Sequence, residues 1–143
     1  MEVAYQFSCE NISTRELEEL FRATNLGGRV GEKIRRAFVN SWVVCFAWDG
    51  ASLIGASRAL TDGEYHAVIY DVAVHPDYQA QGIGRRLMEQ LLERLSVWRV
   101  MLVADAEVQG FYRRLGFESY PDVMAWLDRR RLYDAPSEES QVG

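Results

Sequence analysis

Two cysteines, two histidines and three prolines are all the chain has of those types in 143 residues. Cys9 and Cys45 stand far apart in strand-like runs with no histidine nearby. The two histidines are equally scattered, so no zinc-type ligand set is composed and no metal is expected. Reduced, packed thiols are the expectation for both cysteines. Long apolar runs are missing too. None approaches the roughly 20 residues that cross a bilayer, and the opening MEVAYQFSCENIS lacks the basic and apolar regions of a secretory leader. A cytoplasmic protein with no membrane partner is expected. Excess positive charge is absent as well. The formal net charge is -5, whereas a nucleic-acid binder would carry a basic face. What remains is an ordinary globular composition, 48% hydrophobic and 26% charged. That suits one domain with a sizeable core.

Patterning supplies the elements. Residues 3–8 alternate apolar and polar and read as a strand. Ser13 with Glu16 three residues on is a capping-box pattern, and Leu17, Leu20 and Phe21 share one face of the helix it opens. Gly27-Gly28 would end that helix. A second helix over about residues 32–41 follows, with Ile34, Ala37 and Phe38 on its apolar side. Residues 42–48 and 52–60 read as strands joined by a two-residue turn at Asp49-Gly50, and Asp62-Gly63 suggests a second turn of the same kind. Residues 64–74 form a nearly continuous apolar strand, as expected in the middle of a sheet. Then come a helix over 85–95, a short strand over 99–104 and a helix carrying Val108, Phe111, Tyr112 and Leu115. Closing strands are expected at 117–120 and 123–127. Residues 1–128 would form the domain and 129–143 an exposed tail. The expected class is α/β, or α+β by strict definition: a mixed sheet of six to seven strands with helices on both faces.

One stretch has the makings of an anion site, the alternative being a glycine-rich helix entry with no ligand. Residues 70–92 read YDVAVHPDYQAQGIGRRLMEQLL: a strand end, a glycine-bearing turn and a helix start. A first helical turn has unpaired N–H groups and roughly half a positive charge, and glycines let an anion reach the backbone. The turn fails as a P-loop, because Arg85-Arg86 stand where Lys and Ser or Thr are needed. It fails as a dinucleotide fingerprint, because Leu87 stands where a third glycine is needed.

The pattern left, Gln79-Ala80-Gln81-Gly82-Ile83-Gly84, resembles the pyrophosphate loop of the GNAT superfamily of acyl-CoA-dependent N-acyltransferases. DVAVHPDY before it and the later Phe111-Tyr112-Arg113-Arg114-Leu115-Gly116-Phe117 resemble that family's central strand and its F-Y-x-x-L-G-F segment. Within it, RALTDGEYHAVIYDVAVHPDYQAQGIGRRL and LVADAEVQGFYRRLGFE are similar to the plant-chloroplast and cyanobacterial serotonin N-acetyltransferase group.

The resemblance implies acetyl-CoA as co-substrate and a small amine as acceptor, with a homodimer as one option. It implies a splay between the fourth and fifth strands. It places the pantetheine arm on the backbone of Val72, Ala73 and Val74, and the pyrophosphate on Gln79, Ala80, Gln81, Gly82, Ile83 and Gly84, with charge from Arg85. It makes Tyr112 the general acid; the alternative is that Tyr112 only extends an apolar stripe. Asp105, where many members carry asparagine, is either a base for the amine or a helix cap. Asp71, a charge in an apolar strand, is a base, a substrate anchor or a paired structural carboxylate. Phe21, Leu26, Val30, Phe38, Trp42 and Tyr65 either line the amine pocket or belong to the core. Acetylation of protein lysines or N-termini, and a non-catalytic acyl-CoA sensor, are the competing functions.

Overall fold

The computed structural model describes residues 2–24, 26 and 28–131. Their order is β1 (Val3–Gln6), α1 (Thr14–Arg22), α2 (Gly31–Val39), β2 (Val43–Asp49), β3 (Ser52–Thr61), β4 (His66–Val74), α3 (Ile83–Glu93), β5 (Arg99–Leu102) and α4 (Gln109–Arg114). The strands form one five-stranded sheet in sequence order. β1 through β4 pair antiparallel, and β4 pairs β5 in parallel across the α3 crossover. The mixed α/β class holds.

Period-two alternation sorts β2 cleanly between two helical layers. Val44 and Phe46 meet Leu17, Leu20 and Phe21 of α1 and Ile34 and Phe38 of α2 on one face. Val43, Cys45 and Ala47 meet Leu87, Met88 and Leu91 of α3 on the other. Each of the large side chains taken fully from water contributes about 1.5–3 kcal/mol. Gly55 of β3 is required where α3 lies closest. A Cβ there would stand 3.1 Å from Leu87 Cδ1 and 3.2 Å from Ala47 Cβ.

The capping box is realised. Ser13 Oγ accepts from the Glu16 N–H at 3.1 Å, and Glu16 Oε1 accepts from the Ser13 N–H at 3.1 Å. The 62–65 connection is wider than the two-residue turn expected, because Asp62 Oδ1 accepts from the N–H groups of Glu64, Tyr65 and His66 and holds an open loop.

The larger correction concerns strand number. Six to seven were expected and five are present among the described residues, because residues 117–127 carry no strand pairing. Val123, Met124, Trp126 and Leu127 are all exposed. Their apolar character suits a strand, but a strand exists only where a neighbour takes its backbone groups. The first helix stops earlier than the Gly27-Gly28 end expected: α1 finishes at Arg22 with Ala23 as its C-cap. Gly27 itself and the tail from residue 132 onward fall outside the described residues.

Candidate active site

The site forms where β4 outruns β5. Parallel pairing covers His66–Arg99 through Ile69–Leu102 and stops, while β4 continues to Val74. The backbone of residues 70–74 therefore faces a gap on that side. This is the splay expected between the fourth and fifth strands. Val72, Ala73 and Val74 line it with main chain, while Val72 and Val74 pack side chains against the α3 cluster and Ala73 against the α1–α2 cluster.

A bulge sits at the start of the gap. Ala56 pairs Ala73 and Arg58 pairs Tyr70, which leaves Asp71 and Val72 together opposite Ser57. Asp71 takes φ 56°, the left-handed region, a conformation that costs a non-glycine residue about 1–2 kcal/mol. Its side chain is buried. Oδ1 accepts from Arg29 Nε at 3.1 Å and Oδ2 from Arg58 Nε at 2.7 Å. Of the three readings open for Asp71, the geometry supports the paired structural carboxylate.

Beyond Val74 the chain turns through Pro76–Tyr78. The His75 imidazole accepts from the Asp77 N–H at 3.1 Å, and the Tyr78 hydroxyl donates to Asp49 at 2.6 Å, tying the loop to the end of β2. That bond to a carboxylate holds the Tyr78 pKa above the ordinary phenol value. Gln79 donates its amide to the Val74 carbonyl at 3.0 Å, so its side chain is committed to the loop itself. Ala80 and Gly82 both take positive φ, 62° and 84°. Gly82 is the N-cap of α3 and has no side chain to cap it, and the first turn holds no acidic residue. Nothing lies within 4 Å of where a Gly82 Cβ would stand. The first N–H groups of α3 thus have no side-chain cap beside an open Gly82, a cradle suited to a diphosphate. The residues fit the coenzyme that the loop pattern implies. Arg85 is exposed and pairs Glu89 at 3.2 Å, which leaves it near the cradle as a shared cation.

Tyr112 stands on α4. Its ring meets Phe111 at 5.0 Å and Phe117 at 5.9 Å, both edge-on. Burial alone pushes its pKa above 10.0, so the phenol keeps its proton throughout the neutral range. Tyr112 also forms part of the wall of a 790 Å³ groove along the outer edge of β5, with Leu102, Gln109, Phe117 and Tyr120. No residue of the 72–85 stretch lines that groove, so it is separate from the cradle. Asp105 is exposed, and its side chain makes no capping bond to the turn that follows. The cap reading therefore fails and the carboxylate is open to solvent.

The expected amine-pocket residues do not converge. Phe21 and Phe38 are fully buried, rings 6.0 Å apart, in the core beneath α1 and α2. Trp42 and Tyr65 are exposed at the opposite end of β4 from the cradle. Sequence reasoning missed Arg29 and Arg58, and it missed Tyr78. The one available signal was Asp71 itself, since a carboxylate in an apolar strand calls for cationic partners.

The splay, the bulge and the uncapped helix entry together define an acyl-CoA-handling fold, and the chain belongs to the Acetyltransferase (GNAT) domain family, whose pattern matches residues 40–119. It is an N-acetyltransferase of that type. An uncharacterized N-acetyltransferase of Pyropia yezoensis is 33% identical over 87% of this chain and 78% of its own length. A chloroplastic serotonin N-acetyltransferase of Oryza sativa subsp. japonica is 36% identical over 85% of this chain. The chain spans 64% of that rice protein's length. Among solved structures, a GNAT-family acetyltransferase from Streptococcus pneumoniae superposes with a TM-score of 0.77 at 29% identity, covering 90% of this chain and 99% of that one. No helix among the described residues is long and apolar enough to cross a membrane.

Proposed function

We propose that the chain moves an acetyl group from acetyl-CoA to a small primary amine, with an arylalkylamine such as serotonin or tryptamine as the acceptor class. The observation that carries the reading is the end of β4–β5 pairing at Ile69–Leu102, followed along the chain by an uncapped, glycine-led helix start. The first feature suits a thiol arm that bonds like an added strand, and the second suits its diphosphate. The likeness to a rice serotonin N-acetyltransferase supports the acceptor class.

Acetyl-CoA supplies an activated acyl group as a thioester. The chain's own residues then have separate tasks. Backbone of 72–74 aligns the arm, and the amides of 81–84 hold the diphosphate. The Val72 N–H is the donor assigned to the thioester oxygen, where negative charge grows during attack. Tyr112 gives its phenolic proton to the departing thiolate. Asp105 takes the proton that the amine nitrogen sheds, directly or through water.

The test is free-thiol release by the purified chain from acetyl-CoA over serotonin, tryptamine, polyamines and lysine- or N-terminal peptides. Turnover with arylalkylamines well above the peptides is expected. Peptides outrunning every free amine would shift the acceptor to protein. Acetyl-CoA binding without thiol release on any acceptor would point to a sensor and overturn the reading.

A further inference from the structure

We infer that Asp71, gripped by Arg58 of β3 and Arg29 of the α1–α2 connection, is a positioning residue for acyl transfer that locks the β4 bulge and so aims the Val72 amide. The inference rests on the transfer reading above and adds a task for three residues that it leaves unused.

The argument begins with alternation. Ala67 and Ile69 face the α3 cluster, so an unbroken strand would send residue 71 there too, a carboxylate among Leu87, Met88 and Leu91. The extra residue of the bulge prevents this. Val72 and Val74 take the α3 face instead, and Asp71 turns to the other side. There the Arg58 guanidinium lies 5.8 Å from the Phe38 ring and 5.2 Å from the Tyr70 ring. A left-handed non-glycine residue persists only where its surroundings over-determine it. Each carboxylate oxygen of Asp71 is held by a different guanidinium, and the two come from different elements.

A buried charge cluster is a poor device for stability alone, since apolar residues of similar volume often do as well. Its better-attested use is to select one arrangement among several. Here the arrangement selected is the backbone direction immediately before Val72. Arg29, still 38% exposed, carries the restraint out to the α1–α2 connection. A disturbance of that connection therefore reaches the amide through one ion pair.

The test uses the full chain and three variants: Asp71→Asn, Arg29→Gln and Arg29→Lys. Asparagine tolerates the left-handed region, so Asp71→Asn removes the charge without forbidding the bulge. At saturating substrates its kcat should fall about tenfold or more, with the acetyl-CoA Kd within about twofold of wild type. Amide hydrogen exchange over residues 70–74 should quicken while that of α3 stays unchanged. Arg29→Gln should move both readouts the same way by less, and Arg29→Lys should recover part of the loss. An Asp71→Asn enzyme with wild-type kcat, or one whose 70–74 amides exchange as before, overturns the inference. Uniform acceleration across the sheet also overturns it, because Asp71 would then be a general stabiliser. Should wild type turn over no amine, the transfer reading falls, and the exchange pattern still decides whether Asp71 holds the bulge.

Discussion

Ile69 and Leu102 are the last partners on the parallel side of β4. Past them one strand runs on beside an opening, and its N–H and C=O groups on that edge lack a neighbouring strand. Such an edge is a template for another chain or for an amide-bearing ligand. The pantetheine arm, with its two amides, is a ligand of that kind, and the cradle at Gly82 lies where the strand hands over to α3.

Tyr112→Phe keeps the ring against Phe111 and Phe117 and removes only the proton. The variant should fold with a nearly unchanged melting temperature, and kcat should fall by about 10²-fold or more. Burial raises the Tyr112 pKa above 10.0, so wild-type kcat should keep the acid form to higher pH than an ordinary phenol would allow. Rate-against-pH profiles of both proteins, with circular-dichroism melts, check the assignment. Wild-type turnover by the variant would remove Tyr112 from the chemistry.

Gly82→Ala places a methyl group in the open space before the α3 start. At φ +84° the strain should lower stability by about 1–2 kcal/mol, and the methyl should weaken coenzyme A binding by about tenfold or more. Gly63→Ala is the control. Gly63 also has positive φ, 77°, but it lies in the 62–65 loop at the opposite end of β4 from the cradle. Calorimetric titration should find coenzyme A affinity lowered in the first variant and kept in the second.

Cys45 is wholly buried in the α3 core, and that burial pushes its thiol up to about 12. In the unfolded chain the thiol ionises near its ordinary value of 9.0. Its contribution to stability is therefore complete below pH 9 and is lost as pH rises from there toward 12, by at most about 1.4 kcal/mol per pH unit. Urea midpoints at pH 8, 9.5 and 10.5 should fall more steeply in wild type than in Cys45→Ala. Alkylation of native protein at pH 8 should leave Cys45 unmodified.

Local signals in the sequence were read faithfully by the fold. Ser13 and Glu16 formed the capping box they suggest, and the Leu87–Leu91 spacing became the buried stripe of α3. The glycine pattern at 82–84 marked the cradle because an anion site there needs only backbone and missing Cβ atoms, both visible as letters. Residues 117–127 show the opposite case. Apolar character announces a segment able to join a sheet, but the partner is set by tertiary geometry. Asp71 lies between the two. Its oddness in an apolar strand was legible, whereas Arg29 and Arg58 come from positions 42 and 13 residues away, and nothing local joins them to it. Phe21 and Phe38 were ambiguous because an aromatic suits a core and a flat ligand equally.

Only a four-residue ladder stitches β5 to the rest of the sheet, while α3 packs over β2, β3 and β4 with Leu87, Met88 and Leu91 sunk completely into the interior. The helix proposed to receive the diphosphate at its head is thus also the rivet through this core. Occupancy of the cradle should therefore steady the layer that α3 covers and raise the protein's resistance to heat with the logarithm of ligand concentration.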